Sequence, residues 1–130
     1  MSSSLLRDKA KEASKQSHSP YSKARVGSAV ETSDGQIYSG CNIENASFGG
    51  TVCAERVAIW KAVSEGHHQL KRIYVYTKDG WPPCGMCLQV MTEFATGELE
   101  ITIGDSQGKE TTKKLKELLT QAFTPDKLGP

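Results

Sequence analysis

A chain of 130 residues has room for one domain, residues 1–130, that buries roughly two thirds of its unfolded surface. Hydrophobic and charged contents of 37% and 24% are those of an ordinary globular protein, and a net charge of +1 argues against a dedicated polyanion binder. No apolar run reaches the length of a membrane span, and the start, Met1-Ser2-Ser3-Ser4-Leu5-Leu6-Arg7-Asp8, has no signal-peptide core, so a reducing cytoplasm is the expected setting.

In chain order, Ser4 reads as the cap of a surface helix from Leu5 to about Ser17, broken by Ser19-Pro20-Tyr21-Ser22. Arg25 to Thr32 and Ile37 to Asn42 are strand candidates joined by the turn Ser33-Asp34-Gly35-Gln36, the signature of an antiparallel hairpin. A helix runs from near Cys53 to Glu65 with Gly66 as its stop. Its centre, Val57-Ala58-Ile59-Trp60, is apolar on nearly every side, which predicts burial and puts Trp60 in the core. Ile73 to Thr77 is a third strand, and Pro83 starts a helix that reaches about Phe94. Leu99 to Gly104 is a fourth strand, followed by the turn Asp105-Ser106-Gln107-Gly108. A terminal helical segment then carries Leu115, Leu118 and Leu119 on one face. The order α-β-β-α-β-α-β predicts a mixed sheet with helices on both faces.

Two motifs carry the chemistry: Cys53-Ala54-Glu55-Arg56 and Pro83-Cys84-Gly85-Met86-Cys87. Three thiols and a carboxylate that is not itself a ligand describe a catalytic zinc site, with the fourth coordination position left to water. Cys84 and Cys87, three apart at a helix start, can turn both sulfurs to one ion, and Cys53 can approach from the facing helix. Helix N-termini and Arg56 compensate the thiolate charge. Glu55 is the candidate for shuttling protons to and from the zinc-bound water. Residues two apart do not share a helix face, so spacing alone does not carry Glu55 over the metal. Two blander readings compete: a redox dithiol, and a closed structural site with Cys41 as fourth ligand, although a small buried hydrophobe is the expected role of Cys41. His18, His67 and His68 fall in loops or at helix ends, and Trp81 reads as loop packing.

These motifs, together with Ser19-Pro20-Tyr21-Ser22, Val26-Gly27, Asp34-Gly35, Gly40-Cys41-Asn42-Ile43-Glu44-Asn45-Ala46, Gln89 and Ala122-Phe123, make the chain resemble the small zinc-dependent cytidine deaminases over nearly its whole length. The resemblance implies a three-layer α/β/α sandwich and a cytoplasmic enzyme of pyrimidine salvage that deaminates cytidine and deoxycytidine hydrolytically to uridine and deoxyuridine. It implies Cys53, Cys84 and Cys87 as ligands of Zn2+ and Glu55 as proton carrier. Asn42 and Glu44 would hold the sugar hydroxyls, with Ala54 and Ala46 at the substrate. Phe48 and Phe123 would close pockets shared between the subunits of a homotetramer. No nucleic acid or membrane partner is implied.

The chain departs from the pattern at Ala24, where the family commonly has a phenylalanine, and at Leu88, where it usually has an arginine. Losing an aromatic stack costs about 0.5–1.5 kcal/mol. A different aminated nucleoside or analogue, such as blasticidin S, is the alternative substrate.

Overall fold

A computed structural model describes residues 2–129, apart from the side chains at 2, 3, 96 and 97; Met1 and Pro130, the ends of the expected domain, lie outside the described residues. The helices are α1 (Ser2–Ser14), α2 (Ala54–Ser64), α3 (Gly85–Phe94) and the single turn α4 (Leu115–Leu118). The strands are β1 (Gly27–Thr32), β2 (Ile37–Cys41), β3 (Leu70–Tyr76), β4 (Ala95–Gly104) and β5 (Glu110–Lys114). They form one sheet in the order β2-β1-β3-β4-β5. The β3–β4 pair is parallel and the other three are antiparallel, so the mixed sheet expected from the element order is present.

The alternation of side chains along each strand makes two cores on opposite faces. On one, Leu6 and Ala10 of α1 pack on Ala29 and Tyr74. On the other, Ala58, Ile59 and Ala62 of α2 and Cys87, Leu88 and Met91 of α3 pack on Val30, Ile73, Val75 and Ile101. Each fully buried Ile or Met in this second layer contributes about 1.5–3 kcal/mol. The result is a three-layer α/β/α sandwich whose larger core lies beneath the two helices that carry the cysteine motifs. Gly40 lets α2 approach β2: a Cβ there would stand 2.7 Å from the Ala58 backbone nitrogen and 2.8 Å from the Val57 side chain. Gly66, at φ +96°, takes the left-handed conformation that ends α2 as expected.

Several expectations need correction. α1 is already helical at Ser2, so Ser4 is not its cap, and it stops at Ser14 rather than near Ser17. Trp60 is 48% exposed, because α2 buries only its Ala58–Ile59–Ala62 side and Trp60 points away from it. The turn at Asp105–Gly108 forms as expected, but the strand β5 follows it where only a helical segment was expected: Glu-Thr-Thr-Lys-Lys has no apolar alternation because every residue of this edge strand is exposed. The terminal helix shrinks to α4, yet Leu115, Leu118 and Leu119 do pack against the larger core. Among the described residues, no helix is long and apolar enough to cross a membrane.

Candidate metal centre

The two motifs meet because each places a cysteine at the residue just before a helix. Cys53 precedes α2 and Cys84 precedes α3, both with extended backbone at ψ 154° and 166°. Cys87 lies in the first turn of α3 and is fully buried. The three Sγ atoms fall within 4.8 Å of one another, and Cys53 and Cys84 Sγ are 3.7 Å apart. Sulfurs about 2.3 Å from one tetrahedral ion stand about 3.8 Å apart, so this separation suits zinc. Cys41 closes β2 outside this cluster, half-buried and free, which leaves the four-cysteine reading without its fourth ligand.

Extended backbone at Cys53 also resolves the spacing problem of Glu55. A residue before the first helical turn does not obey helical periodicity, so Cys53 and Glu55 reach the same cleft although only two positions separate them. That cleft, about 260 Å³, is walled by Asn42, Glu44, Cys53, Ala54, Glu55 and Cys84 together with Thr77 and Trp81. Glu55 is 3% exposed, and burial pushes its carboxyl up to about 7, aided by the charge on Cys53. The Cys87 thiol and the Arg56 guanidinium both donate toward Cys53, holding it well below the usual thiol range. Cys87, the donor in that contact, is pushed up. Arg56 Nη2 stands 3.4 Å from Cys53 Sγ, and the guanidinium lies 5.8 Å from the centroid of Trp60. The buried Nε of Arg56 has no acceptor among the described residues. A soft donor set with a fixed cation behind it is the setting in which thiolates persist.

Asn42 and Glu44 are engaged with the segment between α1 and β1. Asn42 Oδ1 accepts from the Val26 N–H at 2.9 Å and its Nδ2 donates to the Ala24 carbonyl at 2.9 Å. Glu44 Oε1 accepts from the N–H groups of Tyr21 and Ser22, and Oε2 accepts from the Ser22 hydroxyl, which lowers its pKa. One amide hydrogen and one lone pair remain on Asn42, and one lone pair on Glu44 Oε2.

Ala46, Phe48 and Phe123 are not on the wall of this cleft. Ala46 is exposed, Phe48 is 72% exposed against the edge of Tyr21, and Phe123 is 56% exposed. The Phe123 carbonyl accepts from Gln89 Nε2 at 2.7 Å, which ties the C-terminal segment to α3. Trp81 is a cleft wall rather than loop packing; its backbone N–H donates to Thr77 Oγ1 at 2.7 Å, and both residues line the cleft with Cys53 and Cys84. Thr77 was missed in the sequence, where nothing marks a threonine at a strand end. Two prolines after Trp81 were the available sign that its ring is held at a surface.

Comparisons with known proteins agree with this centre. The family model described as the cytidine and deoxycytidylate deaminase zinc-binding region matches residues 2–103. A cytidine deaminase of Halalkalibacterium halodurans is 41% identical over 99% of this chain and 99% of its own length. One from Sporosarcina psychrophila is 40% identical over 92% and 89%. The crystal structure of cytidine deaminase from Burkholderia pseudomallei superposes with a TM-score of 0.90 at 37% identity, covering 95% of this chain and all of that one. With the cysteine cluster, the buried carboxyl and the sandwich all in agreement, the chain belongs to the zinc-binding cytidine and deoxycytidylate deaminase family.

Proposed function

We propose that this protein is a cytidine deaminase that hydrolyses cytidine and deoxycytidine to uridine and deoxyuridine, working as one domain over residues 1–130. The observation that carries the reading is a cluster of three thiols, two of which line the same cleft as the buried carboxyl of Glu55. Cys53, Cys84 and Cys87 hold the zinc, and Arg56 offsets their charge. When bound, zinc supplies the Lewis acidity for a hydrolytic displacement of ammonia. Glu55, whose pKa of about 7 lets it both hold and release a proton at neutral pH, carries protons between water, the ring nitrogen and the departing amine.

The free lone pairs and amide hydrogen of Asn42 and Glu44 suit sugar hydroxyls, and the start of α2 at Ala54 borders the base. Ala46, Phe48 and Phe123 act on a neighbouring copy's pocket in a homotetramer, which explains two large aromatics left open to solvent. The role is nucleoside salvage in the cytoplasm. A nucleic acid strand is disfavoured by a net charge of +1 and by Glu44 on the cleft wall.

Ammonia release from cytidine and deoxycytidine, with one zinc per chain, tests the activity. No turnover by the zinc-loaded protein sinks it, and an active monomer in sedimentation removes the shared pocket.

A further inference from the structure

Of the described residues that wall the Glu55 cleft, only Trp81 carries an aromatic ring. Around it Ala54, Glu55, Val75 and Thr77 are buried, whereas Trp81 is 51% exposed. Among the described residues its indole meets no other ring and no cation, and its Nε1–H has no acceptor. The ring is open, but the chain that carries it is held. The Trp81 backbone is bonded to the buried Thr77 hydroxyl, and the Lys78 carbonyl accepts from the Ser106 N–H at 3.1 Å and from its hydroxyl at 3.0 Å. Gly80 turns the chain at φ +75°, and Pro82 and Pro83 stiffen it on the other side. An aromatic side chain fixed in this way loses little freedom on meeting a ligand. Trp81 also lines an adjoining hollow together with Ala24, the position at which the related enzymes commonly carry phenylalanine.

We propose that Trp81 is the residue that selects a flat aromatic base: its indole packs against the pyrimidine ring and supplies the contact that the methyl of Ala24 cannot make. The proposal rests on the deaminase reading above and adds a specificity-determining residue to it. A nucleobase offers a π face whatever its pattern of donors and acceptors, and an aromatic side chain holds that face without reading the pattern. Recognition of the amino group therefore stays with Glu55 and the sulfur cluster, while Trp81 discriminates against rings that are not flat. Stacking of this kind is the same before and during the reaction, so it acts on KM and leaves kcat alone.

The experiment measures kcat and KM for cytidine and for its saturated analogue 5,6-dihydrocytidine, in the zinc-loaded protein and in Trp81→Phe, Trp81→Leu and Trp81→Ala. Phenylalanine keeps a π face, leucine keeps apolar bulk without one, and alanine keeps neither. For cytidine, KM is expected to rise at least about fivefold in the leucine and alanine variants, the lower end of what one base stacked on a ring is worth. Their kcat should stay within about twofold, and the phenylalanine variant should keep most of the affinity. The preference for cytidine over the saturated analogue should shrink in the leucine and alanine variants by a similar factor, which loss of zinc or of fold would not produce. Binding is read separately in Trp60→Phe protein, where Trp81 is the one tryptophan: uridine is expected to quench its emission saturably. If the alanine variant fails to fold, the leucine variant decides. An unchanged KM in a folded variant overturns the proposal and spares the deaminase reading, whereas a native protein that turns over no cytidine overturns both. Equal losses for cytidine and its saturated analogue overturn the proposal, as does a leucine variant that matches phenylalanine. An altered sedimentation coefficient with KM unmoved also overturns it, and makes Trp81 a contact between copies.

Discussion

Replacing Glu55 by glutamine separates what this carboxyl does in the reaction from what its burial costs the fold. With zinc present, kcat should fall by at least about 10²-fold, the lower end of a positioned proton carrier's contribution, while zinc content is kept. In zinc-depleted protein the same substitution acts on stability. The folded carboxyl keeps its proton up to about pH 7, while in the unfolded chain it ionises near 4.5. Below pH 4.5 both states are protonated and burial carries no ionic cost. Between pH 4.5 and 7 the unfolded chain releases a proton that the folded chain retains, so wild-type stability falls as pH rises. A shift of about 2.5 units at 1.36 kcal/mol each amounts to about 3 kcal/mol by pH 8. Glutamine does not titrate. The stability of the variant relative to wild type should therefore grow by about 3 kcal/mol from pH 4.5 to 8, read from urea unfolding of both proteins at a series of pH values. A difference that stays level within about 1 kcal/mol across that range refutes the account of Glu55 as a carboxyl held neutral by burial.

Arg56→Gln should raise the Cys53 pKa in zinc-depleted protein by removing a guanidinium donor 3.4 Å from its sulfur, seen as a shift to higher pH in alkylation rate; an unmoved profile removes Arg56 from the compensation. Asn42→Ala strips partners from the Val26 N–H and the Ala24 carbonyl and should cost about 2–3 kcal/mol in denaturant unfolding, with a loss below about 1 kcal/mol counting against the clasp. Gly40→Ala forces α2 away from β2, since backbone lies 2.7 Å from the new carbon, and should cost at least about 2 kcal/mol by the same assay. A neutral result would mean that the helix can move without penalty.

The parts of this molecule legible in its sequence are those where local chemistry and global fold coincide. The hairpin turn at Asp34-Gly35, the stop at Gly66 and the helix start beside Cys53 follow from backbone preference, whereas α3 begins at Gly85, past the Pro83 expected to start it. The illegible parts are decided by neighbours distant in sequence. Nothing within Glu110–Lys114 calls for a strand; the segment is extended because β4 offers it a free edge. Trp60 is apolar yet solvent-facing, because α2 turns its Ala58–Ile59–Ala62 side to the core and leaves Trp60 beside Arg56 on the other. Glu55 stayed ambiguous under helical periodicity because Cys53 stands outside the helix proper. Asn42 and Glu44 were expected at the sugar, and their grip on the Tyr21–Val26 segment came from folding that no local pattern encodes.

That grip divides the molecule's labour. The sulfur cluster is assembled at the beginnings of two helices, whereas a separate stretch, residues 19 to 26, is pinned by two side chains of the cleft wall. Lys23, Ala24 and Arg25 can therefore be exchanged while their anchors and the sulfur cluster remain in place.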